Sequence, residues 1–108
     1  METTEYNIGK FTKVRPDTYF DVYVNDFYVF IVFKENIDLG QPDTWKHLSE
    51  TPLNEDYRPM KSTYMMGGSY GQTIIVINAE GIISARHPQG GTRTLYGTIM
   101  YPRQSVIP

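Results

Sequence analysis

Apolar and polar side chains alternate over residues 18–24, where Phe20, Val22 and Val24 interleave with Tyr19, Asp21 and Tyr23. A period of two is the mark of a strand with one buried face. Asn25-Asp26 can turn the chain, and residues 27–33 then run Phe-Tyr-Val-Phe-Ile-Val-Phe with no polar face. Such a run predicts a strand covered on both sides, by two sheets or by a sheet and another subunit. Residues 61–66 predict a short strand ended by Gly67-Gly68, and the β-branched stretch 72–77 a central one. Asn78-Ala79-Glu80-Gly81 predicts a tight turn in which Gly81 takes a positive φ, and residues 82–86 pair back. After a turn at Pro88-Gln89-Gly90-Gly91, residues 93–101 predict one long last strand.

Two stretches are less regular. Residues 1–17 are polar with thin periodicity and predict an arm or an irregular first strand. In residues 41–57, Pro42-Asp43-Thr44 can start one helical turn carrying Trp45 and Leu48 before Pro52 intervenes. Short strands separated by Gly and Pro turns predict an all-β fold. The expectation is an antiparallel β-sandwich, jelly-roll-like, forming one head domain over residues 18–108.

A length of 108 residues suits one domain. The 40% hydrophobic and 20% charged fractions are those of a globular chain, which argues against disorder. The 14% aromatic content favours strands and contact surfaces. A net charge of -2 with no basic run argues against a nucleic-acid or anionic-membrane surface. The lack of cysteine excludes disulfides and thiol chemistry. Met1-Glu2-Thr3-Thr4-Glu5 lacks the basic and apolar regions of a signal peptide, and residues 27–33 are too short an apolar run to span a bilayer. A soluble protein without membrane insertion is expected.

Gly67-Gly68-Ser69-Tyr70-Gly71 matches the G-x-S-x-G pattern of a hydrolase nucleophile, followed by Glu80 and His87 in serine–acid–histidine order. That motif needs a strand, a sharp elbow and a helix. Here the following residues, 72–77, read as strand, so the segment is expected to be a glycine-rich loop and the protein not an enzyme. His47 and His87 have no second histidine or cysteine at ligand spacing, so neither a metal site nor a cofactor is expected. Trp45 has two readings: a lid over the end of the core, or a platform on which a sugar ring stacks. Tyr64, Tyr70 and Tyr96 are read mostly as strand-face packing, with one or two at a binding surface. Arg86, His87 and Arg93 flank the last turn, either as solvated loop charges or as polar contacts to a hydroxyl-rich ligand.

From Trp45 onward the order of features resembles the C-terminal head domains of bacteriophage tail fibres, receptor-binding proteins and upper baseplate proteins. The resemblance is carried by Trp45-Lys46-His47-Leu48, Thr51-Pro52, Tyr57-Arg58-Pro59, the β-branched run 73–77, Glu80-Gly81-Ile82-Ile83 and the segment 96–101. Thr51-Pro52 departs from the commoner Leu-Pro, and residues 1–17 carry no collagen-like repeat or heptad. Such domains are similar to trimeric jelly rolls of the tumour-necrosis-factor and C1q type. The resemblance implies a homotrimer on the virion tail, in contact with other virion tail proteins and binding a bacterial cell-wall or surface saccharide. Trp45, Arg86, His87 and Arg93 are then the expected saccharide-binding residues. A trimerising or capping domain that binds no glycan is the rival expectation.

Overall fold

The computed structural model describes residues 3–6, 9–68 and 72–106. Eleven strands are formed among them: β1 (Thr3–Tyr6), β2 (Gly9–Pro16), β3 (Phe20–Val24), β4 (Tyr28–Phe33), β5 (Asn36–Asp38), β6 (Lys46–His47), β7 (Thr63–Gly67), β8 (Thr73–Ile77), β9 (Ile83–Arg86), β10 (Thr92–Thr94) and β11 (Gly97–Pro102). Two single 3-10 turns, Glu55–Tyr57 and Gln104–Val106, are the only helical elements among the described residues. No helix there is long and apolar enough to cross a membrane.

All pairings are antiparallel. One sheet has the order β1-β2-β3-β4-β11 and a second β6-β9-β8-β7, while β5 and β10 form a two-stranded ribbon. The second sheet is a three-strand meander with β6 returning beside β9, a Greek-key arrangement. The protein is thus an all-β antiparallel sandwich.

The core follows from the alternation. Phe20 pairs with Phe33, Val22 with Ile31 and Val24 with Val29, so six apolar side chains of β3 and β4 lie on one face. They meet Ile75 and Ile77 of β8 and Ile83 and Ala85 of β9 in one buried cluster. Leu39, Leu48, Leu53 and Leu95 enter the same cluster from connecting segments. The turn between β3 and β4 is held by Asn25, whose Oδ1 accepts the N–H groups of Phe27 and Tyr28. At the other hairpin, Asn78 Oδ1 accepts the N–H groups of Glu80 and Ile82, and Gly81 has φ +83° as its turn position predicts.

Two local expectations take a particular form and two are corrected. First, much of the segment 1–17 is a hairpin: β2 pairs along β3, with a register shift between Lys13 and Arg15. A bulge of this kind breaks the simple alternation, which is why the sequence pattern is thin there. Second, that hairpin changes the surroundings of β4. Val29, Ile31 and Phe33 face the core, whereas Phe30, on the opposite face, is half-buried against Phe11 at 5.5 Å and Tyr23 at 6.3 Å between ring centroids. Neighbouring strands of the same chain thus supply an aromatic cluster on the second face.

Third, residues 93–101 are not one strand. β10 belongs to the ribbon and β11 to the first sheet, and between them Leu95 turns fully into the core. Fourth, residues 42–48 form no helical turn; Lys46 and His47 pair with Ala85 and Ser84 on the open edge of β9. The loop that follows is held against β2 by Arg15, which donates to the carbonyls of Thr51 at 2.9 Å and Pro52 at 3.0 Å.

The C-terminal strand is latched to the 3-10 turn at Glu55–Tyr57. Buried Tyr101 donates its hydroxyl to the Tyr57 carbonyl at 2.5 Å, and Arg103 pairs with Asp56 and spans the Tyr57 ring. That charged partner holds the Asp56 carboxyl below the usual carboxylate range, while burial pushes the Tyr101 phenol up.

Candidate functional site

The end of β9 sorts the expected site residues. Ala85 pairs with Ile75 inside the core, so the next residue, Arg86, points to the outer face of the second sheet, opposite Ile74. His87 returns to the inner side and is only 3% exposed. Strand alternation therefore sends two consecutive residues to opposite faces.

Arg86 meets Trp45. Lys46 pairs with Ala85 across β6 and β9, and antiparallel register brings Trp45, one residue earlier, opposite Arg86, one residue later. The guanidinium sits 4.8 Å from the indole centroid, with its Nε 3.4 Å from Asp43 Oδ1. Trp45 is 41% exposed and outside the buried cluster, so it is no lid over the core. It belongs to an outer surface that also carries Met66 and Tyr64, both well exposed.

His87 and Arg93 meet elsewhere, in a cleft of about 200 Å³ lined by Gly67, Gly68, Gln72, Thr73, His87, Thr92, Arg93 and Thr94. It lies where the β7–β8 end of the second sheet faces the β5–β10 ribbon. The imidazole is fixed by its own turn: Nδ1 accepts the Gln89 N–H at 3.0 Å, which leaves the proton of the neutral ring on Nε2. Burial lowers the His87 pKa below its ordinary value, and the nearby Arg93 charge lowers it further. Arg93 is oriented by its Nε, which donates to the Gly90 carbonyl at 2.7 Å. Its terminal nitrogens have no hydrogen-bond partner among the described residues.

Two glycines shape the cleft wall. A Cβ on Gly67 would lie 2.5 Å from the Leu95 carbonyl oxygen, and one on Gly68, at φ +81°, 2.7 Å from the Thr94 oxygen. Gly68 N–H donates to the Tyr96 carbonyl at 3.0 Å. These residues mark a close approach of β7 to the segment between β10 and β11. Thr73 is 3% exposed and presents its side chain at this cleft.

The four expected residues thus form two separate pairs, Trp45 with Arg86 and His87 with Arg93. Thr73, Thr92, Thr94 and Gln72 join the second pair without having been read as site residues. Threonines at 92 and 94 look like ordinary strand residues, and only the fold of the ribbon brings them beside His87.

Ser69, Tyr70 and Gly71 lie outside the described residues. Their flanks are informative: Gly67 ends β7 and Thr73 opens β8, and the two strands are antiparallel neighbours. Glu80 occupies the hairpin tip at the far end of β9 from His87. The four residues of β9 lie between them, roughly 13 Å of strand, so Glu80 does not orient the imidazole. A second, open depression of about 600 Å³ is lined by Arg15, Asp17, Tyr19, His47, Ser49 and Glu50, among others. A scan against protein-family models and a search of curated proteins found no match for this chain.

Proposed function

We propose that the protein is a non-catalytic attachment domain of a bacteriophage tail or baseplate, which binds a bacterial cell-wall or surface saccharide as a homotrimer. The observation that carries the binding reading is the His87–Arg93 cleft. It combines an imidazole N–H, a guanidinium and three threonines around a space of about 200 Å³. Drug-sized ligands take roughly 300 Å³ or more; this cleft suits one sugar unit or the end of a chain. A polar site of that size gives weak binding per copy, and multivalent display raises avidity by about 10²–10⁴ without new contacts. The order of features from Trp45 to Tyr101 supports the phage assignment. Exposed Phe27, Tyr28 and Met100 at the β4–β11 edge of the first sheet supply apolar surface for assembly.

The test is a titration with wall fragments of candidate host bacteria, read by calorimetry. Arg93→Gln is expected to weaken binding and Trp45→Ala to leave it unchanged. If no wall fragment binds the assembled protein, the attachment reading fails. The rival reading, a capping domain that contacts another virion protein, is favoured by the exposed Trp45, Tyr64 and Met66 on the second sheet's outer face.

A further inference from the structure

We infer that the His87–Arg93 cleft recognises an acidic substituent, a phosphate or carboxylate, on the saccharide. This deepens the attachment reading and rests on it. The basis is the balance of donors and acceptors. The neutral imidazole is committed by the Gln89 N–H to present Nε2–H. Arg93 spends its Nε on the Gly90 carbonyl, and its two terminal nitrogens bond no described residue. Thr73 and the amide of Gln72 add donors able to rotate toward an oxygen.

No aspartate or glutamate is among the described residues lining this cleft. A neutral sugar hydroxyl both donates and accepts, so it gains from an acceptor beside the donors, whereas an oxyanion only accepts. The open depression around Tyr19 is of that mixed kind, with Asp17 and Glu50 in its wall and Arg15 bound to Thr51, Pro52 and Ser49. The His87–Arg93 cleft instead offers the Arg93 charge with no carboxylate among its described lining residues, in a chain of net charge -2. Charge-assisted hydrogen bonds from a guanidinium to an oxyanion are roughly twice as strong as neutral ones, so an acidic group gains most from this arrangement.

The experiment uses the full chain and three probes: glycerol phosphate, glucuronate and glucose. Binding is followed through the backbone amide resonances of Gly68, Thr73 and Arg93. Both acidic probes, or one of them, are expected to move these resonances and to bind at least about tenfold more tightly than glucose. Added salt should weaken that binding. Which acidic probe binds separates phosphate from carboxylate. Arg93→Gln should abolish the preference for the acidic probe, whereas Arg93→Lys, which keeps the charge, should retain part of it. Equal binding of glucose at these resonances would overturn the acidic preference and leave the saccharide site standing. Wall fragments that bind without moving them would remove the cleft from the mechanism while the attachment reading survives. If wall fragments bind and neither acidic probe touches the cleft, the inference is also wrong.

Discussion

The guanidinium of Arg86 lies 4.8 Å from the Trp45 ring centroid, and the two residues are held there by the register of β6 on β9. His87, the next residue, is buried on the other side of the same strand end. Arg86→Ala should therefore bare the indole without touching the cleft. A red shift of tryptophan emission is expected, with a stability loss of about 0.5–1 kcal/mol and unchanged ligand affinity. An unshifted spectrum would mean that the stack does not persist in solution.

Tyr101 closes the C-terminal latch with its bond to the Tyr57 carbonyl. Tyr101→Phe keeps the ring and removes the donor that β11 supplies to that carbonyl. The cost should be about 1–2 kcal/mol, seen as a lower urea midpoint at constant m-value. A midpoint equal to that of the parent protein would mean that water replaces the hydroxyl there.

Gly81 combines a left-handed conformation with tight surroundings. A Cβ there would sit 2.8 Å from Arg58 Nε and 2.9 Å from the Leu53 backbone nitrogen. Gly81→Val should cost about 2–4 kcal/mol from backbone strain and overpacking together. A thermal midpoint within a degree of the parent's would contradict this placement.

His87 should make stability depend on pH. Its folded pKa lies below the ordinary 6.5 because burial and Arg93 disfavour the charged ring. Between the folded value and 6.5 the unfolded chain binds more protons, so stability rises with pH in that window. The His87 contribution is full above about pH 6.5 and is lost as pH falls through the folded pKa. Protonation also sets an N–H at Nδ1 against the Gln89 N–H. Denaturation midpoints measured from pH 7.5 to 4.5 should fall, and His87→Asn should flatten part of that slope. An identical slope in the variant would assign the effect to other groups.

Assembly is expected to give a trimer. Light scattering coupled to size exclusion should then report three times the monomer mass. Phe27→Ser with Met100→Ser should lower that mass if the β4–β11 edge forms the contact. A monomer at micromolar concentration would remove the trimer from the proposed function.

The sequence by itself determined the elements whose faces are locally encoded. Alternating Phe20, Val22 and Val24, the β-branched run of β8 and the Asn78–Gly81 turn each specify their conformation from neighbouring residues alone. Gly67 and Gly68 were legible as a strand end, though not as the close contact with residues 94 and 95 that requires them. Only the tertiary structure decided what non-local pairing controls. A bulge hid β2 from periodicity, Leu95 split the last strand because its side chain enters the core, and β6 became a strand because β9 offered an open edge. The same limit applied to the site. Arg86 and His87 are adjacent in the chain, yet a strand sends adjacent side chains to opposite faces. His87 joins Arg93 and Thr73 through the folding of the ribbon against the second sheet, a contact that no local spacing encodes.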